Sequence, residues 1–269
     1  MSFGSSDKTG AQAEETRRFR LRDAEREAAF FLPFLKPRMT ILDAGCGPGS
    51  ITYGLAMQVA PGEVVGIDLD STRIETASRD RRVARAENIS YQVADVANLP
   101  FEDGHFDAVF ANGLIEHLSD PDVGIAELLR VLKSGGVIGV RSPDWGVALL
   151  HPDTTALRDS IELRNRWQRH RGGHPNVGRR LRELLLSAGF LDVNADAMAE
   201  SHGTDTGTAE GVSYMYSVLG NTELVAGVQE QGWASAYEIE CMRQAWVDWA
   251  ATPGAFASFF WCHATGIAP

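Results

Sequence analysis

The run Asp43-Ala44-Gly45-Cys46-Gly47-Pro48-Gly49-Ser50 follows an apolar stretch and opens an amphipathic one, the setting of a ligand-binding strand-to-helix turn. Its glycines fall in a GxGxG pattern. Ser50 breaks the GxGxxG spacing of a dinucleotide loop. Glycine is needed where backbone must approach a ligand closely or take positive φ. Asp43 would repel a phosphate there and suits a ligand bearing an ammonium group. A second acid, Asp68, closes Val64-Val65-Gly66-Ile67, about 20 residues beyond the glycine loop, where a carboxylate accepts from ribose hydroxyls. A third, Asp95, closes Val93-Ala94 and precedes Asn98-Leu99-Pro100-Phe101. Any one of these acids alone reads as a loop residue or helix cap. Three at the carboxyl ends of successive strands line one crevice, where open α/β sheets bind ligands.

Other chemistry-bearing residues carry weaker patterns. His117 lies beyond the fourth apolar run and serves either as a general base or as a helix-entry residue fixing its loop. His151, His170 and His174, with Asp144 and Asp153, lack the spacing of a metal site, so no metal is expected. Cys46, Cys241 and Cys262 are too far apart for a CxxC pair or a disulfide framework. The lysines are Lys8, Lys36 and Lys133, and the residues four places before them are Gly4, Leu32 and Leu129. That excludes a short-chain dehydrogenase, which needs Tyr there.

The elements that must position these residues alternate. Strand-like runs occur at Thr40–Ala44, Glu63–Ile67, Ile89–Val93, Phe106–Ala111 and Gly136–Val140, with helical patterns at Ser50–Val59, Ser71–Arg85 and Pro121–Leu132 between them. The last helix is expected to be capped by Asp120, with Pro121 in its first turn and Gly135 just past its end. Alternation of this kind predicts a parallel sheet covered on both faces. Before it, Thr16–Leu35 has helical spacing, and residues 1–14 read as disordered. After it come a helix Arg179–Ala188 stopped by Gly189, a strand near Phe190–Ala195, an aromatic and acidic helical stretch at 200–254, and a β-like end, Ala255–Ile267. Tyr214, Met215, Tyr216, Trp233, Tyr237, Trp246 and Trp249 in the insertion could lid an apolar acceptor or pack a helical core; for Trp246 and Trp249 core packing is expected. This organisation predicts a tail and N-terminal helix at 1–36, a core domain of 37–199 plus 255–269, and a helical insertion or lid at 200–254.

The chain has 269 residues, 44% of them hydrophobic, and a formal net charge of −11. That balance argues against nucleic acid, whose affinity comes from neutralising phosphates. Eight arginines against Asp159 and Glu162 nevertheless sit in residues 158–182, either as a solvated helix face or as an attraction for an anionic group on an acceptor. No run of about 18 apolar residues occurs, so no membrane span is expected. Without an export signal the cytoplasm is the expected compartment.

Asp43–Gly49, Gly66–Asp68, Val93–Asp95, Leu99-Pro100-Phe101, Phe106-Asp107-Ala108-Val109, Glu116-His117-Leu118 and Leu132-Lys133-Ser134-Gly135-Gly136 together resemble a class I S-adenosylmethionine-dependent methyltransferase. The subgroup includes the small-molecule enzymes of ubiquinone and menaquinone biosynthesis. The resemblance covers residues 20–145, supports the chain to about 198 and fades over 200–254. It implies a Rossmann-like α/β fold: a seven-stranded, mostly parallel sheet with the last strand antiparallel, helices on both faces and a helical insertion before the last strand. It further implies S-adenosyl-L-methionine as cofactor and S-adenosyl-L-homocysteine as product. Gly45 and Gly47 would pack on the methionine part, with Asp43 serving its ammonium. Asp68 would hold the ribose and Leu69 the adenine face. Asp95 and the Val96 N–H would take the adenine edge, and Asn112 would sit near the methionine and sulfonium. Arg22 would meet the methionine carboxylate, against the alternative of a solvated helix face. The function implied is methyl transfer to the C, O or N of a small, apolar or aromatic metabolite. The alternatives are a non-catalytic S-adenosylmethionine-binding protein and a nucleic-acid or protein methyltransferase. Asn112-Gly113-Leu114-Ile115 lacks the Pro-Pro-aromatic of the amino-directed DNA enzymes. A homodimer is left open.

Overall fold

A computed structural model describes residues 22–80 and 86–269. The expected N-terminal tail, the start of the first helix and residues 81–85 lie outside the described residues. Among the described residues the strands form a sheet of order β3-β2-β1-β4-β5-β7-β6, with β1 Ile41–Ala44, β2 Val64–Asp68, β3 Ile89–Val93, β4 Phe106–Asn112, β5 Leu132–His151, β6 Leu191–His202 and β7 Phe256–Ile267. The first five pair in parallel, and β5, β7 and β6 are antiparallel neighbours. The strand order reverses between β1 and β4. In open α/β sheets that switch point is where a ligand crevice forms, outside the strands' carboxyl ends.

The chain divides into two compact units. The described part of the first, which we call the sheet unit, comprises 22–143, 176–197 and 262–269. Period-two alternation gives its inner strands two apolar faces. Ile41, Ala108, Phe110 and Val137 pack with α1 (Ala24–Glu27) and α2 (Ser50–Val59). Leu42, Val109, Ala111, Ile138 and Val140 pack with α4 (Pro121–Arg130) and α6 (Leu181–Ala188). Each fully buried aliphatic side chain in these layers contributes about 1.5–3 kcal/mol. A further helix of this unit, α3 (Ser71–Ser78), starts where Asp70 accepts from Thr72 N at 2.8 Å.

Several elements differ from the sequence expectation. In place of one helix to Leu35, α1 stops at Glu27 and a 3-10 turn spans Leu32–Phe34, with Pro33 inside it. Asp120 does cap α4, accepting from Asp122 N and Val123 N, and Pro121 opens it. The helix ends at Arg130, however, and Leu132 already pairs with Phe106. Gly135 (φ +76°) therefore lies within β5, where its N–H donates to Ala268 O at 3.0 Å, and does not terminate the helix. Gly189 ends α6 in the left-handed conformation, as its position predicts.

The second, helical unit comprises 144–175 and 198–261 and contains α5 (Thr155–His170), α7 (Asp205–Leu219), α8 (Thr222–Glu230) and α9 (Ala236–Ala251). It thus takes in residues 144–175 as well as the 200–254 stretch. Its core surrounds Trp246, which is fully buried, and Trp249, whose ring meets it edge-on at 5.5 Å between centroids.

Candidate cofactor site at the carboxyl ends of the strands

The glycine loop leaves β1 at Ala44. Gly47 has φ +54°, and a side chain built there would meet nothing within 4 Å, so the loop presents bare backbone to open space. Gly49 has φ +79°, and its missing side chain makes room for the Tyr91 hydroxyl. Only glycine meets both demands. The loop is tied to β2 through Asp68, whose Oδ2 accepts from Gly47 N at 3.0 Å while Oδ1 accepts from Asp70 N at 2.9 Å. The next side chain, Leu69, is 70% exposed and offers an apolar surface beside that carboxylate.

Asp43 is buried on the α1/α2 face of β1, where its Oδ2 accepts from Thr52 Oγ1 at 2.6 Å. Burial pushes its pKa up to about 7, the Thr52 hydrogen bond opposes that, and the charge of Asp68 adds to it. Beside it, burial and the same two acids raise the Cys46 thiol well above its ordinary value. Cys46 is therefore a packed, protonated thiol and not a nucleophile.

Asp95 lies just beyond β3, exposed, with Oδ1 accepting from Ala97 N at 2.9 Å. Val96 beside it is buried in the core, which holds the turn in place. Asn112 ends β4 and is buried; its Oδ1 accepts from Arg141 Nη1 at 3.1 Å, and among the described residues its Nδ2 has no hydrogen-bond partner. Arg22 is brought close to the end of β4: a side chain on Gly113 would lie 3.6 Å from Arg22 Nη1 and 3.5 Å from Glu116 Oε1. His117 sits on the 3-10 turn Ile115–His117 with its side chain 62% exposed and Nε2 3.9 Å from Glu116 Oε1. The residues expected at the site thus do gather around β1, β2, β3 and β4.

Several site residues escaped the sequence reading. Glu116 is buried and accepts from Ser142 Oγ at 2.8 Å. Glu27 and Arg141 form a buried ion pair beside Asn112. Thr52 and Tyr91 hold the acids and the loop. Glu116 belongs to a quoted motif and was readable; Arg141 looks like the polar end of an apolar strand.

The residues fit an adenosine linked to an amino acid. They provide an open glycine backbone, a carboxylate for ribose, an apolar side chain for a base, and an orphaned amide nitrogen. Residues 42–140 match a family described as a methyltransferase domain. This chain carries a class I S-adenosylmethionine-dependent methyltransferase domain. An uncharacterized methyltransferase of Schizosaccharomyces pombe is 31% identical over 186 residues, 67% of this chain and 66% of that protein. Trans-aconitate 2-methyltransferase of Methylobacterium radiotolerans is 32% identical over 169 residues, 63% and 60% of the two chains. In both, the match spans less than two thirds of the relative's length. Phosphoethanolamine N-methyltransferase 2 of Haemonchus contortus, solved with S-adenosyl-L-methionine, shares the fold with a TM-score of 0.60 at 17% identity, over 96% of this chain and 57% of that one.

In the helical unit, His170 and Asp153 have local roles. His170 lies against Trp167 and Trp233, with ring centroids at 5.6 and 5.4 Å, and Asp153 pairs with Arg158 at 2.7 Å. Among the described residues no group of three or more His, Cys, Asp or Glu is placed to hold a metal. The arginines of 158–182 are largely engaged. Arg171 pairs with Glu223, Arg169 with Glu162 and Arg180 with Glu183, while Arg164 covers Trp145 and Arg166 covers Trp233. Among the described residues no helix is long and apolar enough to cross a membrane.

Proposed function

We propose that this chain transfers the methyl group of S-adenosylmethionine to the C, O or N of a small-molecule acceptor. The carrying observation is the Gly47–Asp68–Leu69 arrangement, in which bare loop backbone, a ribose-type carboxylate and an exposed apolar side chain stand in series. When bound, the cofactor supplies a methyl already activated on a sulfonium, so alignment and exclusion of water are the main demands on the protein. Asp68 holds the ribose, Leu69 packs on the adenine, Asp95 takes its exocyclic amine and the Val96 N–H donates to its ring. Where the acceptor must lose a proton, the exposed imidazole of His117 is our candidate base.

Within that class we favour an apolar or aromatic metabolite. Trp246, Trp249 and Met215 are core residues, so the reading rests on Tyr216, Trp233 and Tyr237, which keep exposed surface. Net charge of −11 disfavours a nucleic-acid acceptor. The test is thermal shift with S-adenosylmethionine, S-adenosylhomocysteine and NAD, followed by turnover on phenols, quinol precursors and amines, with Asp68→Ala as control. The first two ligands should raise the melting temperature and Asp68→Ala should abolish the rise. Stabilisation by NAD alone overturns the reading, and binding without turnover of any acceptor leaves a cofactor-binding protein.

A further inference from the structure

Asn112 and Arg141 are Cα partners in the register between β4 and β5. Arg141 Nη1 donates to Asn112 Oδ1 at 3.1 Å and also to Glu27 Oε2 on α1. Asn112, Arg141 and Glu27 are 8%, 6% and 6% exposed. A buried guanidinium is tolerable only when paired, and Glu27 supplies the pair. Within the pair the two charges offset each other.

The consequence for Asn112 is a fixed polarity. A guanidinium has donors and no acceptor, so only Oδ1 can face Arg141. The amide cannot flip. Nδ2 is then the amide atom that Arg141 does not engage, and the Ala44–Ala111 pairing brings the start of the glycine loop beside Asn112. That nitrogen is buried and, among the described residues, has no hydrogen-bond partner. Asp43 lies on the same face of the sheet, so an acid and an amide donor flank the loop. An amino-acid group has complementary ends.

We propose that Arg141, held by Glu27, is a positioning residue that presents Asn112 Nδ2 as a donor to the carboxylate of the cofactor's amino-acid part. An amide N–H has nothing to offer an ammonium or a sulfonium, so Asn112 serves the carboxylate and Asp43 the ammonium. The inference rests on the cofactor reading above and adds the orientation of its methionine part.

The experiment is calorimetric titration of the full chain with S-adenosylhomocysteine and with 5′-methylthioadenosine, which keeps the adenosine and thioether but lacks the amino-acid group. Asn112→Asp should weaken S-adenosylhomocysteine by about tenfold or more, equivalent to about 1.4 kcal/mol, and leave methylthioadenosine unchanged. Arg141→Met combined with Glu27→Gln frees the amide to rotate without burying a lone charge and should give the same selective loss. Arg141→Lys should restore most of the affinity. Unliganded melting curves establish that each variant folds, and where the double variant does not, Asn112→Asp decides. Equal weakening of both ligands, or an unchanged S-adenosylhomocysteine affinity, overturns the inference while the cofactor reading stands. Wild type that binds neither ligand overturns both.

Discussion

Thr52 Oγ1, in the first turn of α2, donates to Asp43 Oδ2 at the end of β1 over 2.6 Å, and both groups are buried. The hydroxyl is the group that makes a buried carboxylate tolerable beside Asp68. It also couples the helix after the glycine loop to the strand before it, so the loop is clamped at both ends.

Removing that hydroxyl should destabilise the chain. Thr52→Val keeps the shape but leaves a buried acceptor unpaired, at a cost of about 1–3 kcal/mol. Thr52→Ser keeps the donor and loses one methyl, about 1 kcal/mol. Urea denaturation of both variants against wild type measures the two costs, and a Thr52→Val midpoint equal to that of wild type would show that the hydrogen bond contributes nothing net.

Asp43 also predicts a pH dependence. Its folded pKa is raised to about 7 from an ordinary 3.8, so between those values the folded chain holds a proton that the unfolded chain has released. Stability contributed by this group is full below about pH 4 and is lost as pH rises toward about 7. Asp43→Asn removes the slope. Relative to wild type the variant should gain stability from about pH 4 upward and level off above about pH 7, read from melting temperatures across that range. A wild-type-to-variant difference that does not change with pH would contradict the assignment.

In the helical unit, Trp246 Nε1 donates to Ser160 Oγ at 2.9 Å, and the hydroxyl donates in turn to Leu157 O at 2.7 Å. Ser160→Ala strands a buried indole N–H and should cost about 1–3 kcal/mol. Adding Trp246→Phe removes the orphaned donor, so the double variant should lose less than the sum of the two single changes. Chemical denaturation followed by circular dichroism reads both. Strict additivity would mean the two side chains do not interact energetically.

Elements whose signals are local were readable from the sequence. Ser50–Val59 and Ile89–Val93 were expected with the bounds observed, because helical and strand periodicity with glycine and proline punctuation are written in neighbouring residues. Asp120 as cap and Gly189 as terminator followed from the same chemistry. The extent of β5 did not. The strand-like run expected there was Gly136–Val140, yet the strand spans Leu132–His151, since strand pairing is decided by neighbours distant in sequence.

The acids and glycines of the crevice were determined by the sequence alone, because each strand-to-helix turn carries its own residues to the carboxyl edge of a parallel sheet. What Asn112 offers a ligand was decided by tertiary structure. Glu27, Asn112 and Arg141 come from α1, β4 and β5 and share no local pattern. Only when those elements pack on one face does a guanidinium meet the amide oxygen and leave its nitrogen for the ligand. Periodicity records which face a residue takes, but a hydrogen bond between side chains far apart in sequence exists only once the chain is folded.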